Sequence, residues 1–236
     1  MPELTIVIPA KNEATLLPKL LTSLTKQTYL QNRKTKVFVA DAGSSDDTPQ
    51  LAMTFRGRLE LEVIPGGLPS VGRNAGARLA DGEYVLFIDA DMEFHDATLI
   101  ARAVEMMRER QLHCLTTNIW CESGTALDQA LYLGNNISQW LSQFASPYAT
   151  GMFMLFDRKR FWELGGFHEQ ALFAEDYLLS KKVSPGRFAI IHGGAYTTNR
   201  RFRKMGHLKM VSLFLWTALN TWNEKHFLRD QKYWEV

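Results

Sequence analysis

Cysteine is scarce in this sequence, which contains only Cys114 and Cys121 among its 236 residues. Six residues separate the two, and the chain has no second pair and no C-x-x-C spacing. This pattern argues against a disulfide-stabilised scaffold and against a cysteine-rich zinc site. The simplest interpretation is a protein of a reducing compartment whose fold depends on an apolar core.

Long apolar runs are also missing. The nearest approach is "VSLFLWTAL" at 211–219, about half of the ~18 residues that a transmembrane helix needs. The start "MPELTIVIPAKNE" lacks the basic segment of a secretory signal peptide. We therefore expect a cytoplasmic protein. Peripheral contact with the inner face of the membrane stays open, because the helix predicted from Lys204 onward combines basic and aromatic residues.

The chain has no large excess of charge. Its formal net charge is +2, and its 46% hydrophobic and 22% charged residues are ordinary for a globular protein. No global field points to nucleic acid, so we expect no nucleic-acid partner. Positive charge is concentrated locally, in "RRFRKMGHLK" at 200–209.

Strand and helix patterns alternate through the first 111 residues. Apolar or alternating runs at 4–9, 36–41, 59–64 and 83–89 predict four strands, and the segments between them show helical spacing. This alternation indicates an α/β fold with a Rossmann-like, mostly parallel central sheet flanked by helices.

After residue 111 the alternation is less regular, but the sequence shows no linker or repeat, so we expect a single domain over 1–236. The predicted elements after residue 111 are a strand at 112–120, a helix at 124–146, a strand and short helix within 149–167, a helix at 173–183 and a strand at 187–194.

Polar residues gather where the predicted strands end. Pro9 to Glu13 follow the first strand, Asp41 to Ser44 the second, and Asp89-Ala90-Asp91 the fourth. In doubly wound sheets, ligands bind at the carboxyl ends of strands where the strand order reverses. The sequence therefore predicts one site built from these three clusters.

Asp89 and Asp91 place two carboxylates together at the end of an apolar strand. At ~4 Å, two such charges repel by about 4 kcal/mol at an effective dielectric constant near 20. A cation should accompany them, and Mg²⁺ or Mn²⁺ bound to a phosphate fits their oxygen ligands. A solvated turn at the strand end is the alternative.

The sequence leaves open the roles of two further segments and of His207. "GLPSVGRN" at 67–74 has Arg73 and Asn74 where a Walker A loop has Lys and Ser or Thr, so a P-loop is disfavoured. Its helix start could still present N–H groups and Arg73 to a phosphate. "AED" at 174–176 fits either an acidic helix start or a catalytic base. His207 fits either a surface histidine or a metal ligand.

Four segments in order resemble one family: "TIVIPAKNEA", "VADAGSSDDT", "SVGRNAGARLADGEYVLFIDAD" and "FAEDYLLSKKV". They are similar to the family-2 nucleotide-sugar-dependent glycosyltransferases with a GT-A fold, closely over 4–92 and more loosely over 149–207. The resemblance implies an inverting, metal-dependent transfer from a UDP- or GDP-linked sugar to an acceptor hydroxyl, with Mn²⁺ or Mg²⁺. It also implies a nucleotide-sugar-binding half at 1–111 and an acceptor half at 112–236 that ends in an amphipathic helix. The acceptor could be a glycan, a lipid-linked molecule or a small molecule.

The resemblance also implies roles for individual residues. Asp176, beside Glu175, matches the general base. Asp91 matches the metal ligand, and His207 would complete the metal shell, with His192 as its competitor. Ala42 departs from the family, which often has a second acid after Asp41. Nucleotide-sugar contacts are implied at Pro9, Asn12, Glu13, Asp41, Arg73, Asn74, Asp89, Ala90, Arg200 and Arg201.

Two other functions compete with this hypothesis. A non-catalytic nucleotide-sugar-binding module acting through a partner would be expected to lose the acids of these motifs, and all of them are present. A nucleotidyltransferase of related architecture would be expected to carry glycines in the first loop, and "PAKNEA" has none. Both observations favour the transferase.

Overall fold

Eight strands organise residues 3–229, the part of the chain that the computed structural model describes. They form one sheet in the order 3-2-1-4-7-6-8-5, numbered along the chain. The strands are β1 (Leu4–Ala10), β2 (Lys36–Asp41), β3 (Glu60–Pro65), β4 (Tyr84–Ile88), β5 (Glu93–Phe94), β6 (Cys114–Cys121), β7 (Phe153–Asp157) and β8 (Phe188–Thr197).

The sheet is parallel on one side and mixed on the other. Strands β3, β2, β1 and β4 run parallel, with the alternating strand β3 at the edge. Strand β7 is antiparallel to both β4 and β6, whereas β8 is parallel to β6 and antiparallel to β5. The order reverses at β1, which lies between β2 and β4. A ligand site is therefore expected at the carboxyl ends of these three strands.

The described helices flank this sheet. In residues 3–229 no helix is both long enough and apolar enough to cross a membrane. The helical tail predicted from Lys204 continues to Phe227, and its last residues, 230–236, lie outside the described part. The helices are α1 (Leu17–Thr25), α2 (Thr28–Asn32), α3 (Thr48–Met53), α4 (Pro69–Leu79), α5 (Leu99–Glu109), α6 (Ala126–Ser142), α7 (Arg158–Glu163), α8 (Glu175–Ser180), α9 (Arg200–Met205), α10 (His207–Leu219) and α11 (Glu224–Phe227), with a 3₁₀ turn at Pro185–Arg187.

Apolar side chains cover both faces of the sheet. Ile6 and Ile8 of β1 belong to one cluster, whereas Val7 faces the opposite layer with Phe87. Alternation of side chains along a strand produces this division, and burial on both faces explains why β1 and β4 read as continuous apolar runs. The first cluster also includes Met210. Packing is therefore continuous across the predicted boundary between residues 111 and 112.

Helix α4 lies unusually close to the parallel strands because of its glycines. A Cβ added to Gly76 would lie 2.4 Å from Cγ1 of Val7, and one added to Gly72 would lie 3.2 Å from Cβ of Ala40. This close approach sets the helix that carries Arg73 and Asn74 directly against β1 and β2.

Substituting Gly76 with alanine should therefore destabilise the protein. Val7 is fully buried, so overpacking should lower the free energy of unfolding by about 1–3 kcal/mol. The matched control is Gly134→Ala in the exposed middle of α6, where no atom lies within 4 Å of the new Cβ. That change should stabilise the protein by up to about 1 kcal/mol. Equal shifts of Tm for the two variants would contradict the close packing of α4.

Candidate active site

The loops that follow β1 and β2 are bonded to each other at the predicted site. Asn12 adopts a left-handed backbone conformation, with φ of 54°, which asparagine tolerates better than most residues. Its N–H donates to Oγ of Ser44 at 2.9 Å, and its side-chain oxygen accepts from the N–H of Ser45 at 2.8 Å. Two loops distant in the sequence thus form one rim of the site.

Asp41 closes the turn at the end of β2. Its carboxylate accepts hydrogen bonds from the N–H groups of Gly43 and Ser44, both at 3.1 Å, and from Oγ of Ser44 at 2.6 Å. Pro9 pairs with Ala40 at the same end of the sheet. Asp41 and Pro9, which are predicted to contact the nucleotide, therefore lie at the same edge of the sheet.

Arg73 lies at the centre of the site and is almost completely buried. Its Nη2 donates to Oδ1 of Asp89 at 2.6 Å, and its Nη1 donates to Oε1 of Glu175. Burial alone would lower the pKa of Arg73, but Asp89, Glu175 and the neighbouring Asp176 together raise it above its ordinary value. One permanently charged guanidinium thus joins the end of β4 to the start of α8.

Asp176 lies half-buried in the first turn of α8. Its Oδ2 accepts from the N–H of Gly151 at 2.7 Å, and its Oδ1 accepts from the N–H of Tyr177 at 2.8 Å. Burial and the adjacent Glu175 raise the pKa of Asp176 to about 6, against the opposing charge of Arg73. A carboxylate with this pKa can accept a proton near neutral pH.

Gly151 supports this arrangement through its missing side chain. A Cβ at this position would lie 2.4 Å from Nη2 of Arg73. The backbone of Gly151 can therefore bond Asp176 while the guanidinium of Arg73 passes beside it. Sequence reasoning missed this residue, because nothing around Gly151 marks it as close to Arg73.

Asp91 lies beside a second arginine cluster. Arg200 binds both carboxylate oxygens of Glu13, at 2.9 and 2.6 Å, and lies 3.9 Å from Oδ2 of Asp91. Burial and the nearby Asp89 raise the pKa of Asp91, although Arg201 and Arg200 act in the opposite direction. Burial also raises the pKa of Glu13 despite its pairing with Arg200. Asp91 is thus a partly buried carboxylate with incomplete compensation of its charge.

The two predicted histidines lie in different surroundings. His207 directs Nε2 at Oδ1 of Asp128, 2.7 Å away, and stacks on Phe202. His192 is exposed on β8, and its carbonyl oxygen accepts from Arg102 at 3.0 Å. Asp128 is buried and was not predicted from the sequence. The contribution of His207 to a metal shell stays a prediction, because Asp128 engages its Nε2 in this structure.

Asn74 and Ala90 are also buried. The side chain of Asn74 bonds the backbone of Phe167 in both directions, at 2.8 and 3.0 Å, and donates to Glu169 at 3.0 Å. In this structure Asn74 therefore holds the loop after α7 against α4. The nucleotide contacts expected of Asn74 and Ala90 stay predictions.

A group with metal-ligand geometry lies next to the predicted site. Within the described residues, ligand atoms of Glu93, His95 and Glu122 lie within 4.8 Å of one another. Glu93 begins β5, two residues after Asp91, and Glu122 follows β6. The group is largely exposed. Sequence reasoning missed it because Glu122 comes from a segment far from Glu93 and His95 in the chain.

The sheet order and the acids at its carboxyl edge define a GT-A glycosyltransferase fold. Residues 5–165 match the family described as "Glycosyl transferase family 2", and the chain belongs to this family. The predicted family and fold are thereby confirmed.

Curated relatives match less than half of the chain. TarS, a poly(ribitol-phosphate) beta-N-acetylglucosaminyltransferase of Staphylococcus aureus (strain Mu50 / ATCC 700699), is 33% identical over 103 residues, covering 42% of this chain and 18% of TarS. A PGL/p-HBAD biosynthesis glycosyltransferase of Mycobacterium bovis (strain BCG / Pasteur 1173P2) is 31% identical over 114 residues, covering 47% of this chain and 43% of the relative. The chain spans less than half the length of these relatives.

Solved structures share the fold. Residues 1–349 of S. aureus TarS in complex with UDP superimpose with a TM-score of 0.66 at 23% identity, covering 83% of this chain and 60% of that one. The mannosyltransferase PcManGT from Pyrobaculum calidifontis, in complex with GDP-Man and Mn²⁺, gives a TM-score of 0.65 at 24% identity, covering 88% and 62%. At these identities the likeness is one of fold.

Proposed function

We propose that this chain transfers a sugar from a UDP- or GDP-linked donor to an acceptor hydroxyl, with inversion at the anomeric carbon. The observation that carries the proposal is the link from Asp89 through Arg73 to Glu175 and Asp176. It sets a carboxylate with a raised pKa next to the acids expected to hold the donor. The complexes of PcManGT with GDP-Man and of TarS with UDP support the class of donor.

Asp176 is the proposed general base. It would accept the proton of the acceptor hydroxyl while the hydroxyl oxygen forms a bond to the anomeric carbon. The bond from that carbon to the diphosphate breaks, and its electron pair leaves with the diphosphate. Because attack occurs on the face opposite the leaving group, one displacement inverts the anomeric carbon.

The residues around Asp91 fit a divalent cation. The Asp91 carboxylate is partly buried, its pKa is raised, and Arg200, 3.9 Å away, is already bonded to Glu13. Oxygen ligands whose negative charge is only partly compensated suit Mn²⁺ or Mg²⁺. When bound, such an ion would stabilise the negative charge of the departing diphosphate. Arg200 and Arg201 begin α9 near Asp91 and would contact the phosphates.

Donor binding should therefore depend on the metal through Asp91. In a thermal-shift panel of UDP-, GDP- and dTDP-sugars, at least one donor should raise Tm with Mn²⁺ and much less with EDTA, since a ligand stabilises the state that it binds. Asp91→Asn should remove most of this difference. Asp81→Asn, which alters an exposed aspartate paired with Lys36, should behave as wild type. Equal shifts with Mn²⁺ and EDTA would contradict a metal at Asp91.

The product distinguishes transfer from the competing functions. The expected result is a new glycoside whose anomeric configuration, read by proton NMR, is opposite to that of the donor. Donor binding without turnover on any glycan, lipid-linked or small-molecule acceptor would favour a non-catalytic binding module. Release of pyrophosphate from a nucleoside triphosphate supplied with a sugar phosphate would favour a nucleotidyltransferase.

A further inference from the structure

Helix α6 presents an apolar and uncharged outer surface. Between Ser123 and Phe156 the sequence has one charged residue, Asp128, and that residue is buried. A helix that faces only water normally carries charged residues on its outer side. The exposed large side chains on this helix and just beyond it are Leu127, Leu133, Ile137, Trp140, Leu141 and Phe144.

Helix α10 is apolar on its exposed side as well. Within this helix only Met210 and Thr217 are buried. Large apolar side chains of this helix therefore point to solvent. Trp216 is 58% exposed, and Trp222, just beyond the helix, is 79% exposed. The other exposed large side chains of α10 are Leu208, Phe214, Leu215 and Leu219.

The starts of the two helices are attached to each other. The hydrogen bond between His207 and Asp128 attaches the start of α10 to the start of α6, and Phe202 of α9 packs edge-on against Tyr132 of α6. At the other end of α10, Nζ of Lys181 donates to the carbonyl oxygen of Thr221 at 3.0 Å. We call the exposed apolar side chains of α6, α10 and Trp222 the apolar face.

The chain around α10 is strongly cationic. Residues 200–229 include one acid, Glu224, and seven basic residues. The basic residues are Arg200, Arg201, Arg203, Lys204, Lys209, Lys225 and Arg229, of which the last five are exposed.

This charge argues for a particular occupant of the apolar face. Tryptophan and leucine beside lysine and arginine are the composition of helices that lie at the surface of an anionic bilayer. A second copy of the chain would bring an equally cationic segment to the same face, and like charges oppose such contacts.

We propose that the apolar face docks on an anionic phospholipid surface. Side chains such as Trp216 and Trp140 enter the interfacial layer, and the basic residues near α10 contact the phosphate headgroups. This docking needs neither donor nor acceptor, so it stands or falls independently of the proposed reaction.

Sedimentation of the full chain with vesicles tests the proposal. The protein should sediment with phosphatidylcholine vesicles that contain phosphatidylglycerol and much less with pure phosphatidylcholine. The double variant Leu215→Asp/Trp216→Asp should weaken partitioning at least about tenfold, because it replaces inserted apolar area with two charges. Lys204→Gln/Lys209→Gln should weaken binding to phosphatidylglycerol vesicles while leaving any binding to pure phosphatidylcholine unchanged.

The matched control is Leu79→Asp on α4, which changes a leucine that is 51% exposed but lies outside the apolar face. It should sediment as wild type does, and thermal melts should show that all variants fold. Wild-type protein left in the supernatant, or a double variant that still sediments fully, would overturn the proposal. A concentration-dependent dimer that the double variant abolishes would also overturn the proposal, because the apolar face would then bind a second copy of the chain.

Discussion

Asp176→Asn should lower the rate of transfer by about 10²–10⁴-fold while leaving donor binding nearly unchanged. The amide of asparagine can still accept the hydrogen bond from Gly151, but it cannot take a proton from the acceptor hydroxyl. The rate should be measured with the donor that gives the largest thermal shift. The control is again Asp81→Asn, which changes an exposed aspartate and should keep wild-type activity. A variant at Asp176 that retains activity would place the base elsewhere.

The same residue should determine the acid side of the pH profile. Since the pKa of Asp176 is raised to about 6, kcat/KM should fall about tenfold per pH unit below that value and level off above it. Asp176→Asn should lose this dependence. A profile that is unchanged in the variant would contradict the assignment.

As pH rises, the free energy of unfolding should fall where activity increases. The folded pKa of about 6 exceeds the ordinary value of 3.8, so between these values the folded state binds more protons than the unfolded state. The free energy of unfolding therefore falls as pH rises through this window. Asp176→Asn removes this titration, so the variant's free energy of unfolding should not fall through this window, whereas that of wild type should fall by at most about 3 kcal/mol for a shift of about two units. Thermal melts from about pH 4 to 8 would measure the difference.

Arg73→Met should be among the most destabilising substitutions in this chain. Removing the guanidinium leaves Asp89 and Glu175 without their cation, and breaking a buried pair in this way costs about 3–5 kcal/mol. In a domain of this size, that loss should lower Tm by roughly 6 °C or more. The matched control is Arg78→Met on the same helix, because Arg78 forms an exposed pair with Glu169 and should contribute at most about 1 kcal/mol.

A second change separates the charge network from simple loss of packing. In the Arg73→Met background, Glu175→Gln should restore part of the lost stability, because it neutralises one of the carboxylates left without a cation. Arg73→Lys should retain more stability than Arg73→Met but still reduce transfer, since a single ammonium cannot bridge Asp89 and Glu175 with planar geometry. Equal melting temperatures for Arg73→Met and Arg78→Met would contradict the central role of Arg73.

The predicted elements of the first 111 residues agree with the structure apart from short pieces and boundaries. Their strands and helices depend on local periodicity, which a single sequence displays. Helix α1 begins only at Leu17, because Asn12 and Glu13 belong to a loop that bonds Ser44 and Thr48 after β2. Strand β5 and helix α2, with two and five residues, were not predicted, since such short elements show no period.

The later chain was harder to order from its sequence. The antiparallel insertion of β7 between β4 and β6 joins segments that are far apart in the chain. Local patterns mark each strand but carry no information about its partner. The sequence also left open whether the apolar residues of α10 are packed or exposed, because its pattern does not show which side is packed.

By itself, the sequence determined the chemical groups at the ends of the strands and the helical or extended character of each long segment. Both depend on residue type and on neighbours a few positions away. Only the tertiary structure decided that Arg73 bridges Asp89 and Glu175, the latter 102 positions from Arg73 in the chain, and that His207 bonds Asp128. It also decided the raised pKa of Asp176, because burial and the charges of distant residues act through space and leave no mark in the local sequence.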